Sequence, residues 1–212
     1  LQKARKNDDV KAIVLRIDSP GGSALTSDLI WREIEITKKV KPVVVSMGNY
    51  AASGGYYIAC NANKIFAESN TITGSIGVFG VLPNFTPLAT KLGIYTEQVK
   101  THENSANYSP FVPLDEKFKA FTLEGVEQIY KNFVTHVAEG RKMTFAQVDS
   151  IAQGRVWSGS EAVKIGLVDK IGGLNDAIAE AAKIAKIKDY STQNYPEYEK
   201  TFSDLMANLP FA

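Results

Sequence analysis

The sequence predicts an α/β fold in which βαβ units wind a mostly parallel sheet and helices pack outside it. Three observations carry this. Short, β-branched apolar runs at residues 11–17 (KAIVLRI) and 43–47 (VVVSM) are bounded by Gly, Pro and Asp, as buried strands are. Stretches with helical spacing separate such runs. Glycine-containing turns follow the strands directly, as parallel α/β units require.

The elements follow in order. Residues 1–10 (LQKARKNDDV) read as the last turns of a helix, and the strand at 11–17 comes at once. Thr26 or Ser27 is placed to cap a helix running to Val40, with Leu29, Ile30 and Ile34 inward. Lys41-Pro42 ends it before the strand at 43–47. A helical stretch at 53–61 leads to a short strand at 65–67, then the glycine-punctuated residues 73–80. An amphipathic piece at 87–92 precedes an expected strand at 95–99. Residues 101–113 lack any period and read as a loop or flap. Phe118, Phe121, Val126, Ile129, Phe133, Val134 and Val137 mark a long helix over 114–138, ended by Gly140. Thr144 and Gln147 form a capping-box pattern. Helices are expected at 160–165 and 174–185. The residues from Tyr190 to Ala212 read as an aromatic, polar arm beyond a domain of residues 1–189.

Composition excludes several classes. The 212 residues carry 24 Lys+Arg against 23 Asp+Glu, so the basic footprint of a nucleic-acid binder is missing. One cysteine, Cys60, makes neither an intrachain disulfide nor a cysteine-rich metal site. Scattered carboxylates and two distant histidines give no metal site either, and no bound cofactor is implied. No apolar run approaches the ~18–20 residues of a spanning helix. The chain opens on Leu1 rather than Met, which predicts a piece of a longer protein.

Two turns offer chemistry. Asp18-Ser19-Pro20-Gly21-Gly22-Ser23 follows the first strand, and its two glycines permit positive φ and close backbone approach. Such a turn can aim amide N–H groups into a cleft, as an oxyanion hole demands; alone it reads equally as a plain strand-to-helix turn. It is no phosphate loop, since the lysine and spacing of that motif are absent. In the second turn Ser53 lies between Ala51-Ala52 and Gly54-Gly55. There it is either an ordinary helix N-cap or a nucleophile approached closely by substrate.

Together the two turns resemble the Clp protease/crotonase superfamily, and within it the membrane-anchored, S49-type signal peptide peptidases. The resemblance rests on residues 10–23 (VKAIVLRIDSPGGS), 42–59 (PVVVSMGNYAASGGYYIA), 71–81 (TITGSIGVFGV) and 153–173 (QGRVWSGSEAVKIGLVDKIGG). It implies a crotonase/Clp-like spiral of βαβ units and a serine peptidase acting on extended apolar peptides such as cleaved signal peptides. Ser53 would be the nucleophile, and Gly21, Gly22 and Gly54 would supply oxyanion amides. Ser75 would hydrogen-bond a catalytic lysine. Ile76, Gly77, Val78 and Phe79 would line the substrate groove.

One departure stands out. In family members that are complete in one half, the lysine precedes a Ser-Pro pair; counted back from Ser109-Pro110, that position holds Ser105. No lysine occurs between Lys100 and Lys117. The pattern resembles the C-terminal half of the family's long form, where the first, homologous half supplies the lysine. On that reading the first strand of this half is missing, and the isolated piece would be inactive. In-chain substitutes are Lys100, if its loop folds back, or His102; His136 sits among Phe133 and Val137 and reads as structural. The resemblance further implies a bacterial inner-membrane protein, anchored by a segment outside this sequence with its catalytic part extracytoplasmic, and a ring- or dome-shaped homo-oligomer. The other readings are a non-catalytic assembly module of the same fold and an acyl-CoA-processing crotonase relative.

Overall fold

A computed structural model describes residues 1–102, 105 and 108–196. The α/β class and the mostly parallel sheet are present. After a short helix α1 (Gln2–Lys6) come β1 (Ile13–Ser19), α2 (Ala24–Lys38), β2 (Val43–Ala52), α3 (Gly54–Ala59), β3 (Lys64–Ala67) and β4 (Ile72–Gly74). Then follow α4 (Thr86–Lys91), α5 (Glu116–Arg141), α6 (Phe145–Ile151), β5 (Val156–Ser158), α7 (Gly159–Lys164), β6 (Lys170–Ile171) and α8 (Leu174–Ile184).

β2 organises the sheet. Val43, Val44 and Val45 are fully buried, the mark of a parallel strand covered on both faces. The first part of β2 pairs in parallel with β1 (Leu15 opposite Val45) and with β3 (Val45 opposite Ile65). Its last residues pair with β4, Tyr50 to Ala52 opposite Ile72 to Gly74. β4 pairs antiparallel with β5, and β3 pairs with β6. Between these two parts the register with β1 slips: Ile17 faces Met47, but Ser19 faces Ala51. The extra residues form a bulge, and the Asp18 carboxylate spans it by accepting the Tyr50 N–H at 3.0 Å. The strand expected at 43–47 therefore runs five residues further and delivers its end to Ser53.

The core lies between this sheet and α3, α5, α6 and α7. Tyr56 is fully buried, and its hydroxyl donates to the Leu167 carbonyl at 2.8 Å. α5 contributes Phe133, Val134 and Val137. Each such side chain stabilises by roughly 1.5–3 kcal/mol on burial.

Several boundaries differ from the sequence reading. Ser23, not Thr26 or Ser27, caps α2: its Oγ accepts the Thr26 N–H, and Ser27 is buried with its Oγ donating to the Ser23 carbonyl. Gly140 does not end α5. It sits inside the helix because a Cβ there would lie 2.3 Å from the Cys60 carbonyl oxygen, and Lys142 makes the left-handed cap at φ 56°. The capping box at Thr144 and Gln147 forms as read. α7 starts one residue early, capped by Ser158. No strand forms at 95–99, where Tyr95 and Val99 are 80% and 97% exposed; β-propensity without a partner edge makes no strand. Of the C-terminal arm, residues 190–196 are described: Tyr195 packs against α1 and accepts a hydrogen bond from Asn7 Nδ2 at 3.1 Å. The rest of the arm lies outside the described residues.

Candidate active site

Ser53 and Ser75 meet where β2 and β4 end side by side. Ala52 faces Gly74 across the ladder, and the Ser53 N–H donates to the Gly74 carbonyl at 2.9 Å. Both serines hold positive φ, 50° at Ser53 (ψ −120°) and 47° at Ser75. A non-glycine residue in such backbone costs about 1–3 kcal/mol and persists only where its surroundings enforce it. Among the described residues Lys142, Gln153 and Lys186 are the other non-glycine positions with positive φ, and of these Lys142 is a helix cap.

The restraints are visible. The Thr73 hydroxyl donates to the Ala51 carbonyl at 2.7 Å, tying β4 to β2. The Ser75 N–H donates to the Arg155 carbonyl at 2.7 Å, and the Gly154 N–H donates to the Ile76 carbonyl at 2.9 Å. The Trp157 ring lies so close to Gly74 that a Cβ there would meet its Cδ1 at 2.7 Å. The indole itself is fixed by donating to the Ile151 carbonyl at 3.0 Å. Residues 153–157 thus clamp Ser75, a role the sequence reading did not give them. The available signal was Gln153-Gly154 before the short apolar pair Val156-Trp157.

Ser53 occupies the N-cap position of α3 but makes no capping bond. Among the described residues its hydroxyl has no hydrogen-bond partner, so the N-cap reading is geometrically true and chemically empty. The Asp18–Ser23 turn lies directly against it. Gly21, at φ 119°, leaves no room for a side chain: its Cβ would fall 2.8 Å from Ser53 Cβ and 2.9 Å from Gly54 N. The Gly22 nitrogen lies 3.2 Å from where a Cβ on Gly54 would stand. The Gly21 N–H is taken by Ser19 Oγ at 3.2 Å. The Gly22 and Gly54 N–H groups, by contrast, have no protein acceptor among the described residues. Two open amide donors beside a free, half-buried serine hydroxyl can receive the oxygen of a carbonyl attacked by that hydroxyl.

The remaining candidates fall into place around this centre. Ile76 is fully buried, Gly77 and Val78 are partly exposed, and Phe79 is 88% exposed. Ile76 therefore offers only its backbone, and its carbonyl already accepts Gly154. Ser105, where the resemblance led a lysine to be expected, exchanges hydrogen bonds with the backbone of His102. Neither Lys100 nor His102 bonds to Ser53 or Ser75 among the described residues. His136 stacks on Trp31 with ring centroids 3.6 Å apart, well inside the helical packing. Cys60 is buried and free, and burial pushes its thiol up to about 12, which leaves it inert as a nucleophile. Among the described residues no group of three or more His, Cys, Asp or Glu is placed to hold a metal ion, and no helix is long and apolar enough to cross a membrane.

Comparison with known proteins bears on this geometry. The model of Peptidase family S49 matches residues 35–188, a span that includes Ser53, Ser75 and the 153–157 clamp. Protease 4 of Haemophilus influenzae is 44% identical over 200 residues, 91% of this chain and 32% of that protein. The chloroplastic serine protease SPPA of Arabidopsis thaliana is 41% identical over 191 residues, 88% of this chain and 28% of that protein. The putative signal peptide peptidase SppA of Enterococcus faecium is 37% identical over 196 residues, 92% of this chain and 57% of that protein. The chain spans about a third of the length of the Protease 4 relatives it matches. On the strength of that match over most of its length, the chain belongs to peptidase family S49.

Proposed function

We propose that this chain carries the nucleophile of a serine peptidase that hydrolyses extended apolar peptides, remnant signal peptides among them. The observation that carries the proposal is the pairing of Ser53 and Ser75 in strained backbone beside the open Gly22 and Gly54 amides. Ser53 Oγ attacks the peptide carbonyl while its proton passes to a lysine, and the carbonyl oxygen takes the developing charge toward the two N–H donors. Collapse expels the amine, which leaves with the proton, and an ester on Ser53 remains for water to cleave. Ser75 orients the lysine, whose neutral form needs a partner in a dry site. The phenyl ring of Phe79 and the backbone of residues 76–78 receive the peptide.

The base is a lysine of a homologous N-terminal half or of a neighbouring copy in a ring- or dome-shaped homo-oligomer; among the described residues Lys100 makes no hydrogen bond to either serine. The proposal places the assembled enzyme at a bacterial inner membrane, anchored by a segment outside this sequence, with the site on the extracytoplasmic side. The test is covalent labelling of Ser53 by a fluorophosphonate. The chain alone should label slowly or not at all, assembly with the lysine-bearing half should restore labelling, and Ser53→Ala should abolish it. Equal peptidase rates for assembled Ser53→Ala and the unaltered assembly would sink the reading in favour of a non-catalytic module.

A further inference from the structure

The two open amides beside Ser53 stand on different elements. The Gly22 N–H lies in the turn that leads into α2, whose N-cap is Ser23, and the Gly54 N–H opens α3. How the starts of these two helices meet therefore sets the spacing of the donors, and an oxyanion needs both aimed at one point. Ser27, in the first turns of α2 and 7% exposed, stands at that meeting. A Cβ built on Gly54 would lie 2.6 Å from Ser27 Oγ, 3.2 Å from the Gly22 nitrogen and 3.4 Å from Gly21 Cα. Of these three nearest atoms only Oγ belongs to a side chain. The same hydroxyl donates to the Ser23 carbonyl at 3.0 Å, so one group bears on both donor-carrying segments.

The hydrogen bond alone is ordinary. Thr37, Thr90, Thr122 and Thr135 each donate to the carbonyl four residues back, as helical serines and threonines often do. The place of Ser27 is what differs: of the five, it alone has an atom among the three nearest to a glycine's Cβ position. One residue on, Asp28 accepts the Tyr57 hydroxyl at 2.8 Å and ties α2 to α3 a turn beyond the donors. That tie leaves the spacing at Gly22 and Gly54 to the side chain nearest them, Ser27. We propose that Ser27 is a positioning residue, which without touching the substrate seats the Gly54 amide against the Gly22 turn and fixes the oxyanion hole. The inference rests on the serine-peptidase reading above.

Ser27→Ala removes Oγ and puts the best helix former in its place, so α2 should stay folded. In the enzyme assembled with its lysine-bearing half, kcat for an apolar peptide should fall about tenfold or more, with KM kept within about twofold. A displaced donor is felt by the tetrahedral oxygen and not by the bound ground state. Affinity for a peptide aldehyde, whose adduct with Ser53 sets its oxygen in the hole, should fall by the same factor. Thr37→Ala, which deletes the same kind of bond in the same helix, should leave kcat and aldehyde affinity unchanged. In a crystal structure of the Ser27→Ala chain alone, the separation of the Gly22 and Gly54 nitrogens should change by about 0.5 Å or more, the tolerance of a productive site. An unchanged separation would overturn the inference, as would an unchanged kcat or a loss matched by Thr37→Ala. Ser53→Ala separates this from the wider reading. If it is inactive while Ser27→Ala is fully active, the role of Ser27 alone is refuted; if it keeps full activity, the peptidase reading goes too.

Discussion

Replacing Ser53 by glycine should stabilise the protein, and replacing it by alanine should not. The backbone at Ser53 sits at φ 50°, ψ −120°, a region glycine enters freely and other residues enter at a cost of about 1–3 kcal/mol. Both substitutions remove a hydroxyl that bonds to nothing among the described residues, so deletion of Oγ is common to the two and cancels in the comparison. Alanine keeps the Cβ and with it the strain. Glycine relieves the strain but returns about 0.5–1 kcal/mol of backbone entropy to the unfolded chain. The difference should be about 1 kcal/mol and up to about 2 in favour of Ser53→Gly, read as a shift in the urea midpoint at constant slope, or roughly 2–8 °C in Tm for a chain of this size. Both variants should lose fluorophosphonate labelling in the assembled enzyme. If Ser53→Gly is no more stable than Ser53→Ala, the backbone at this position stores no strain, and the pairing of strained serines that carries the proposed function fails.

Other consequences follow from the same contacts. Gly21→Ala places a Cβ 2.8 Å from that of Ser53 and should cut labelling of the assembled enzyme by about 10²-fold or more, whereas Gly22→Ala, with no atom within 4 Å of its new Cβ, should show backbone strain and a smaller loss; equal effects would count against the close-approach role of Gly21. Burial opposes ionisation of Asp169, but the Arg141 hydrogen bond and charge, the Ile65 N–H and Lys64 outweigh it and hold its pKa below the ordinary value. Its contribution is therefore present above about pH 4 and lost as pH falls through the depressed folded value. Urea titrations from pH 6 down to pH 3 should show a stability loss that is reduced in Asp169→Asn. Cys60, fully buried, should react with a thiol reagent at the rate of global unfolding, so reaction within the dead time in native buffer would contradict its placement.

How much of this was legible in the sequence depends on the range of the interaction that fixes each feature. The buried strands at β1 and β2 announce themselves because Val43, Val44 and Val45 need no partner identity to demand burial. The Thr144–Gln147 box is equally local and was readable. The continuation of β2 through Gly48 to Ala52 was not, because the bulge exists only once Asp18, thirty-two residues earlier, accepts the Tyr50 N–H. Gly140 misled for a related reason. Glycine near a helix end suggests a cap, but here it admits the Cys60 carbonyl from another element, and nothing within the helix records that neighbour. The run at 95–99 has strand composition yet lacks an edge to pair with, so propensity alone overshot.

The site divides along the same line. Ser53 and the Gly21-Gly22 turn stand out in the sequence as short motifs, and the fold sets them side by side. What holds Ser75 does not stand out, since Arg155 acts through its carbonyl and Gly154 through its amide, and backbone atoms carry no sequence signature. Trp157 is the exception, a side chain whose ring closes over Gly74 and whose indole nitrogen is tied to Ile151. The backbone of Ser53 is thus held from two directions at once: from the Asp18 bulge through β2, and from the 153–157 clamp through Gly74 and its hydrogen bond to the Ser53 N–H. A conformation enforced from both sides can keep its hydroxyl unbonded and poised. A lone N-cap serine, free to turn back to its own helix, cannot.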